Sequence, residues 1–163
     1  MARPVLFSEG TLMIDDGTPI APALSGQQTI ALWASPKTTV GAWGADFTTF
    51  APLSLSDGAQ NSSVSYDFIC AAGIYSFNLL HIIGPNRGIY TVTIDDVTVA
   101  TIDGYAADYY TGQGQIGAPT MSTVTGIFLS AGAHIIKFAM DTKNASSSAY
   151  YGSVSSAVFT RTG

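Results

Sequence analysis

Two histidines, one cysteine, one glutamate and ten aspartates give this 163-residue chain a thin stock of groups for an acid–base site or for activating a nucleophile. Acid–base chemistry needs two titratable groups whose environments hold their pKa values apart. The adjacent carboxylates are Asp15–Asp16 and Asp95–Asp96. Neighbours in a strand point to opposite faces, and in a turn both face water, so each pair reads as turn chemistry. His81 sits inside an apolar run and reads as a hydrogen-bonded core histidine. Two histidines leave almost no way to assemble a Ser-His-Asp or Cys-His site. Cys70 also lies in an apolar run and reads as a small hydrophobe. A single cysteine excludes an intrachain disulfide and a cysteine-clustered zinc site. Asp103 and Asp108 flank Tyr105 and could gather oxygens around calcium, but their spacing matches no defined loop. No catalytic residue, metal or cofactor is expected, and the chain is read as a non-enzyme.

Aromatic residues offer a different chemistry. Tyr105, Tyr109 and Tyr110 share a stretch with Asp103, Asp108, Gln113 and Gln115. Flat rings beside amides suit a sugar, which presents an apolar C–H face and ring hydroxyls. Tyr105, Tyr109, Tyr110 and Gln113 are therefore the candidate glycan contacts. The competing reading is a tyrosine-rich loop packed on the domain or at a subunit interface, where tyrosine is also enriched. Trp33 and Trp43 carry the same ambiguity. Their Pro-rich surroundings, with Pro19 and Pro22, favour contact with a neighbouring subunit.

The elements that must position these residues follow from composition. Eighteen Thr, 17 Ser, 14 Ile, 9 Val and 18 aromatics stand where helix surfaces would carry Glu, Lys and Gln. Seventeen glycines and seven prolines supply turns. An all-β protein of many short strands is expected. The net charge of −5 leaves no Lys/Arg patch for nucleic acid or an anionic membrane, so neither is expected as a partner. Disorder requires low hydrophobicity, whereas 47% of this chain is hydrophobic and only 10% charged. So few charges leave sheet edges poorly protected, which points to surface buried against other copies.

Residues 1–60 hold five of the seven prolines and both tryptophans. They read as an N-terminal arm or small β add-on, with strands at 11–14 and 29–33. From residue 61 the punctuation becomes regular: strands at 64–70 and 74–83, a loop at 84–88, and a hairpin turning at Asp95-Asp96. Residues 105–123 read as a long loop with room for one irregular strand. A pair of strands at 126–129 and 134–140 follows, then a loop at 141–148 and a last strand at 150–160. Spacing near ten residues indicates a sandwich or barrel.

Three runs resemble a known family. IYTVTIDDVTVA (89–100) is similar to the Y-x-V-x-ϕ-D-G hairpin of galactose-binding-like and carbohydrate-binding-module jelly rolls. LSAGAHIIKF (129–138) resembles their ϕ-x-x-G-x-H-x-ϕ-x-ϕ strand pair, and KNASSSAY (143–150) their K-N-x-x-S-x-G-Y loop. The resemblance covers about residues 61–163 and implies a jelly-roll β-sandwich. It gives His134 an architectural place. Calcium-binding versions tend to open with a Glu-rich first strand, and none precedes Val64.

The same module is reused in bacteriophage decoration (cement), head-fibre and tail-fibre proteins. Together with the arm, the low charge and the lack of a signal peptide, this gives the first functional expectation. It is a virion structural protein made in a host cytoplasm, forming a homotrimer and gripping a major capsid protein. The alternative is a glycan-binding module attaching to host or environmental polysaccharide.

Overall fold

β-branched and aromatic residues favour a pleated backbone, whose successive side chains fall on opposite faces. The computed structural model describes residues 5–8, 11–14, 27–32, 34–45, 53–107 and 118–163; for 5–8 and 11–14 the strand pairing alone is considered. Among these residues there are strands and no helix. The strands are β1 (Val5–Ser8), β2 (Thr11–Ile14), β3 (Gln27–Ala31), β4 (Thr38–Val40), β5 (Trp43–Ala45), β6 (Leu53–Leu55) and β7 (Ser62–Cys70). They continue with β8 (Gly73–Ile83), β9 (Ile89–Ile94), β10 (Val97–Asp103), β11 (Ala118–Leu129), β12 (Gly132–Thr142) and β13 (Ser153–Arg161).

Two antiparallel sheets form a jelly-roll-type sandwich. One runs β10-β9-β12-β7-β4, the other β11-β8-β13-β6-β5, with β3 also on β13. In β7 the alternation is clean: Val64, Tyr66, Phe68 and Cys70 are buried, and Asp67 and Ile69 are exposed. The sheets meet through aromatic rings. Phe159 of β13 stacks on Phe68 of β7, in the opposite sheet, at 4.7 Å and on Phe77 of β8 at 5.6 Å. The expected hairpin is present, with Val97 opposite Ile94. Asp95 (φ 50°) and Asp96 (φ 63°) form its two-residue turn, the left-handed pair of a type I′ connection.

Three expectations change. Residues 118–123, expected in a loop, open the twelve-residue strand β11. Pro119 is tolerated in it because, among the described residues, β11 is an edge strand pairing only with β8, where a missing N–H costs no ladder bond. The runs at 126–129 and 134–140 do not pair with each other: β11 lies on β8, whereas β12 lies between β7 and β9. The two residues between them carry the chain from one sheet to the other, and a short link of that kind reads locally like a hairpin turn.

The pairing also extends the sandwich N-terminally of residue 61. β3 and β6 pair with β13, and β4 with β7. Leu32 is fully buried, and the buried Tyr66 hydroxyl donates to its carbonyl at 2.6 Å. Pro36 falls between β3 and β4, not within either. Among the described strands, only β1 and β2, paired with each other, join neither sheet.

Candidate ligand pocket at the loop end of the sandwich

Three segments meet where β8 ends: residues 84–88, 104–107 and 143–152. Glycine and proline at 84 and 85 turn the chain out of β8, and backbone bonds then tie the segments together. Gly84 N–H donates to Gly104 O at 2.9 Å, Gly104 N–H to Gly88 O at 3.0 Å, and Gly88 N–H to Tyr151 O at 3.0 Å. The packing at Gly104 excludes any side chain, because a Cβ there would lie 2.7 Å from Gly88 O. The single Ser147 O–H lies between two acceptors of this knot, Arg87 O at 2.7 Å and Ala149 O at 2.9 Å. Lys143 Nζ donates to Ser147 O at 2.8 Å and lies 5.3 Å from the Tyr150 ring centre.

Beside this knot opens a cavity of about 430 Å³. Asn86, Arg87 and Tyr151 wall one side; Ser54, Ser56 and Ser153 supply hydroxyls, and Gly44, Ala45 and Leu55 complete the lining. Arg87 is 8% exposed, and its Nη1 donates to Ser153 Oγ at 2.8 Å. That oxygen in turn lies 2.9 Å from Ser54 Oγ. Behind it, Tyr90 Oη accepts from Ser153 N–H at 2.8 Å and lies 3.2 Å from Ser153 O. Burial pushes the Tyr90 hydroxyl up to about 12, partly offset by its bond to Ser153 and by the Arg87 charge, so it stays a neutral structural donor. The wall therefore combines a guanidinium fork, an amide, hydroxyls and an aromatic ring, the set that recognises a polyhydroxylated ligand. Among the described lining residues there is no carboxylate, histidine or thiol that could work as an acid–base pair.

The residues singled out in the sequence have mixed fates. Tyr105 is half-buried beside this end, where its backbone bridges Gly84. Tyr109, Tyr110, Gln113, Trp33, Pro19 and Pro22 lie outside the described residues. Trp43, expected at a subunit interface, is 9% exposed and belongs to the core cluster. Its ring packs within the chain's own core, because β5 is joined to β6 inside the six-stranded sheet.

Asp103 accepts from Tyr105 N–H and Asn144 Nδ2, each at 2.8 Å, so both its oxygens already brace loops. Asp108 lies outside the described residues, and among the described residues no group of three His, Cys, Asp or Glu is placed to hold a metal.

His81 is buried, bonded to Ser122 Oγ at 2.9 Å and edge-on to Tyr90 at 5.5 Å. His134 Nδ1 meets Asp95 Oδ2 at 2.6 Å and its Nε2 meets Ser130 O at 3.0 Å, which joins the hairpin turn to the next strand. Cys70 is buried. Sequence reasoning missed Asn86, Arg87, Tyr151 and Ser153. One signal was present: Arg87 is one of three arginines and stands in a glycine-bounded loop.

No protein-family model and no curated protein matches this sequence. Solved structures do resemble it in shape. The CBM36-1 domain of a multidomain xylanase, from the hindgut metagenome of Trinervitermes trinervoides, superposes with a TM-score of 0.62 at 17% identity, covering 84% of this chain and 98% of that one. A CBM36 carbohydrate-binding module in complex with calcium and xylotriose gives 0.60 at 18% identity, covering 82% of this chain and 99% of that one. A Paenibacillus xanthan lyase gives 0.61 at 20% identity, covering 90% of this chain but only 14% of the lyase. The chain thus shares the jelly-roll β-sandwich fold of these modules.

Proposed function

We propose that this chain is a non-catalytic glycan-binding module that holds a polysaccharide segment in the pocket walled by Asn86, Arg87 and Tyr151. One observation carries the reading: an open cavity of about 430 Å³ sets a ring, an amide, a buried guanidinium and serine hydroxyls around one space. The shape shared with carbohydrate-binding modules supports it, and the module solved with xylotriose makes a xylo-oligosaccharide the first ligand to try.

The test is calorimetry with xylotriose, backed by a glycan array, on the full chain and on Tyr151→Ala and Asn86→Ala. Losing a stacked ring or an amide partner costs about 1–3 kcal/mol, so a weakening of roughly 5- to 150-fold is expected. Thr123→Ala, exposed on β11, leaves affinity unchanged. Binding that survives both pocket changes but falls with Tyr105, Tyr109 and Tyr110→Ala moves the site to the tyrosine-rich segment. No binding to any arrayed sugar refutes the reading.

A virion structural role is the second proposal, favoured by the β1–β2 hairpin that belongs to neither sheet. Its check is whether the chain co-purifies with assembled particles; a chain found only free removes it.

A further inference from the structure

Tyr151 is the aromatic ring of the pocket wall, and one of its faces is already taken. A Cβ placed on Gly58 would lie 3.1 Å from Tyr151 Cε2, 3.1 Å from its Cζ and 3.3 Å from its Cδ2. A point nearly equidistant from three consecutive ring carbons lies over the face of the ring, because an approach in the ring plane meets one edge atom well before its neighbours. Tyr151 lines the cavity and Gly58 does not. The face that Gly58 covers is therefore turned from the cavity, which leaves one face for a ligand. Contacts this short are rare for a real Cβ, so a side chain at residue 58 would displace the ring by a few tenths of an ångström. The φ of 58° at Gly58 also lies in the left-handed region.

The loop that carries Gly58 is braced from two sides. Asp57 accepts from Ala42 N–H at 3.3 Å through Oδ2 and from Ala59 N–H at 3.1 Å through Oδ1. Ser56 gives its N–H and its hydroxyl to Ala42 O, each at 3.0 Å. On the other side, Tyr150 N–H donates to Gly58 O at 3.3 Å and Leu55 N–H to Gly152 O at 2.8 Å. These bonds tie residues 55–59 both to the turn before β5 and to the segment that carries Tyr151 itself.

We infer that Gly58 is a positioning residue of the pocket, its bare backbone serving as the seat that fixes the Tyr151 ring in the attitude a ligand meets. The inference rests on the pocket reading above. It adds that Gly58 acts on the ligand only through Tyr151.

Calorimetric titration of xylotriose into the full chain tests this. The variants are Tyr151→Ala, Gly58→Ala, Gly58→Asn, and each Gly58 change combined with Tyr151→Ala. Asparagine carries the same Cβ as alanine but tolerates the left-handed backbone better, so it separates the push on the ring from backbone strain. Each Gly58 change alone weakens binding about threefold or more, and neither weakens it further in the Tyr151→Ala background. Gly126→Ala, at φ 76° with open space around it, leaves the affinity unchanged. The seat is also read without ligand: the ring current holds the Gly58 α-proton signals upfield in the wild type, and Tyr151→Ala returns them to their ordinary position. Ordinary Gly58 signals in the wild type overturn the inference. So does binding that Tyr151→Ala weakens and both Gly58 changes leave alone, or a Gly58 loss that persists in full in the Tyr151→Ala background. A Tyr151→Ala chain that binds as tightly as the wild type, with the wild-type Gly58 signals upfield, refutes the pocket reading itself and takes this inference with it.

Discussion

Each ring nitrogen of His134 faces an acceptor, the Asp95 carboxylate on one side and the Ser130 carbonyl on the other. A neutral imidazole has one N–H, so only the imidazolium satisfies both. Burial pulls the His134 pKa down, but the bonds to Asp95 and Ser130 outweigh it and the net shift is upward. Its stabilising contribution is complete below the unfolded value of 6.5 and is lost as pH rises through the higher folded value. Asp95 is shifted down, first by its bond to His134 and then by the Ile135 N–H. Its contribution is present above 3.8 and is lost as pH falls through the folded value. His81 behaves oppositely to His134, because burial lowers it from 6.5 to about 4. Its unfolded form binds protons first, so stability of order 3 kcal/mol present above 6.5 drains away as pH falls toward 4. Urea midpoints measured across pH therefore form a dome with limbs that can be assigned singly. His81→Leu flattens the limb between pH 4 and 6.5, and His134→Leu removes the alkaline limb. An alkaline limb that persists in His134→Leu excludes the doubly bonded imidazolium.

The β9–β10 hairpin shows how two identical neighbours can differ within one element. Both turn aspartates sit at positive φ, which glycine adopts without steric cost. The Asp96 side chain is almost fully exposed and makes only a 3.3 Å contact with Lys137, of a kind worth little at a surface. Asp96→Gly should hold stability level or raise it by about 0.5 kcal/mol. Asp95 accepts from His134 and from Ile135 N–H at 2.9 Å, so Asp95→Gly strands a buried imidazole and costs about 2–3 kcal/mol. Urea unfolding of the two variants decides it; equal destabilisation would mean that the backbone alone sets the turn.

This turn also marks what could be read from the sequence. Alternation at residues 64–70, the Asp95-Asp96 hairpin and the placing of His134 at a strand start were legible because each is local. The bond between Asp95 and His134 was not, since 39 residues separate partners whose side chains meet only after β9 and β12 pair. The pocket was hidden for the same reason: Ser54, Arg87 and Ser153 come from three distant segments. The short strands β3 to β6 were obscured by the prolines around them, and their place depends on β7 and β13, far along the chain.

Across the whole molecule, the proposed pocket opens beside the Ile83 end of β8, and its lining comes from residues 44–45, 54–56, 86–87 and 151–153, which meet once β5, β6 and β13 pair. A module with one pocket gains extra affinity for a polymer only when several copies are linked, by factors of roughly 100 or more through effective concentration. If the chain acts as a single module, its per-site affinity for a long xylan should match that for xylotriose. Tyr151→Ala should then weaken both ligands together. A per-site preference of about tenfold or more for xylan would show linked sites or contacts beyond the pocket. A Tyr151→Ala chain that loses xylotriose but keeps xylan would place the polymer on another part of the surface.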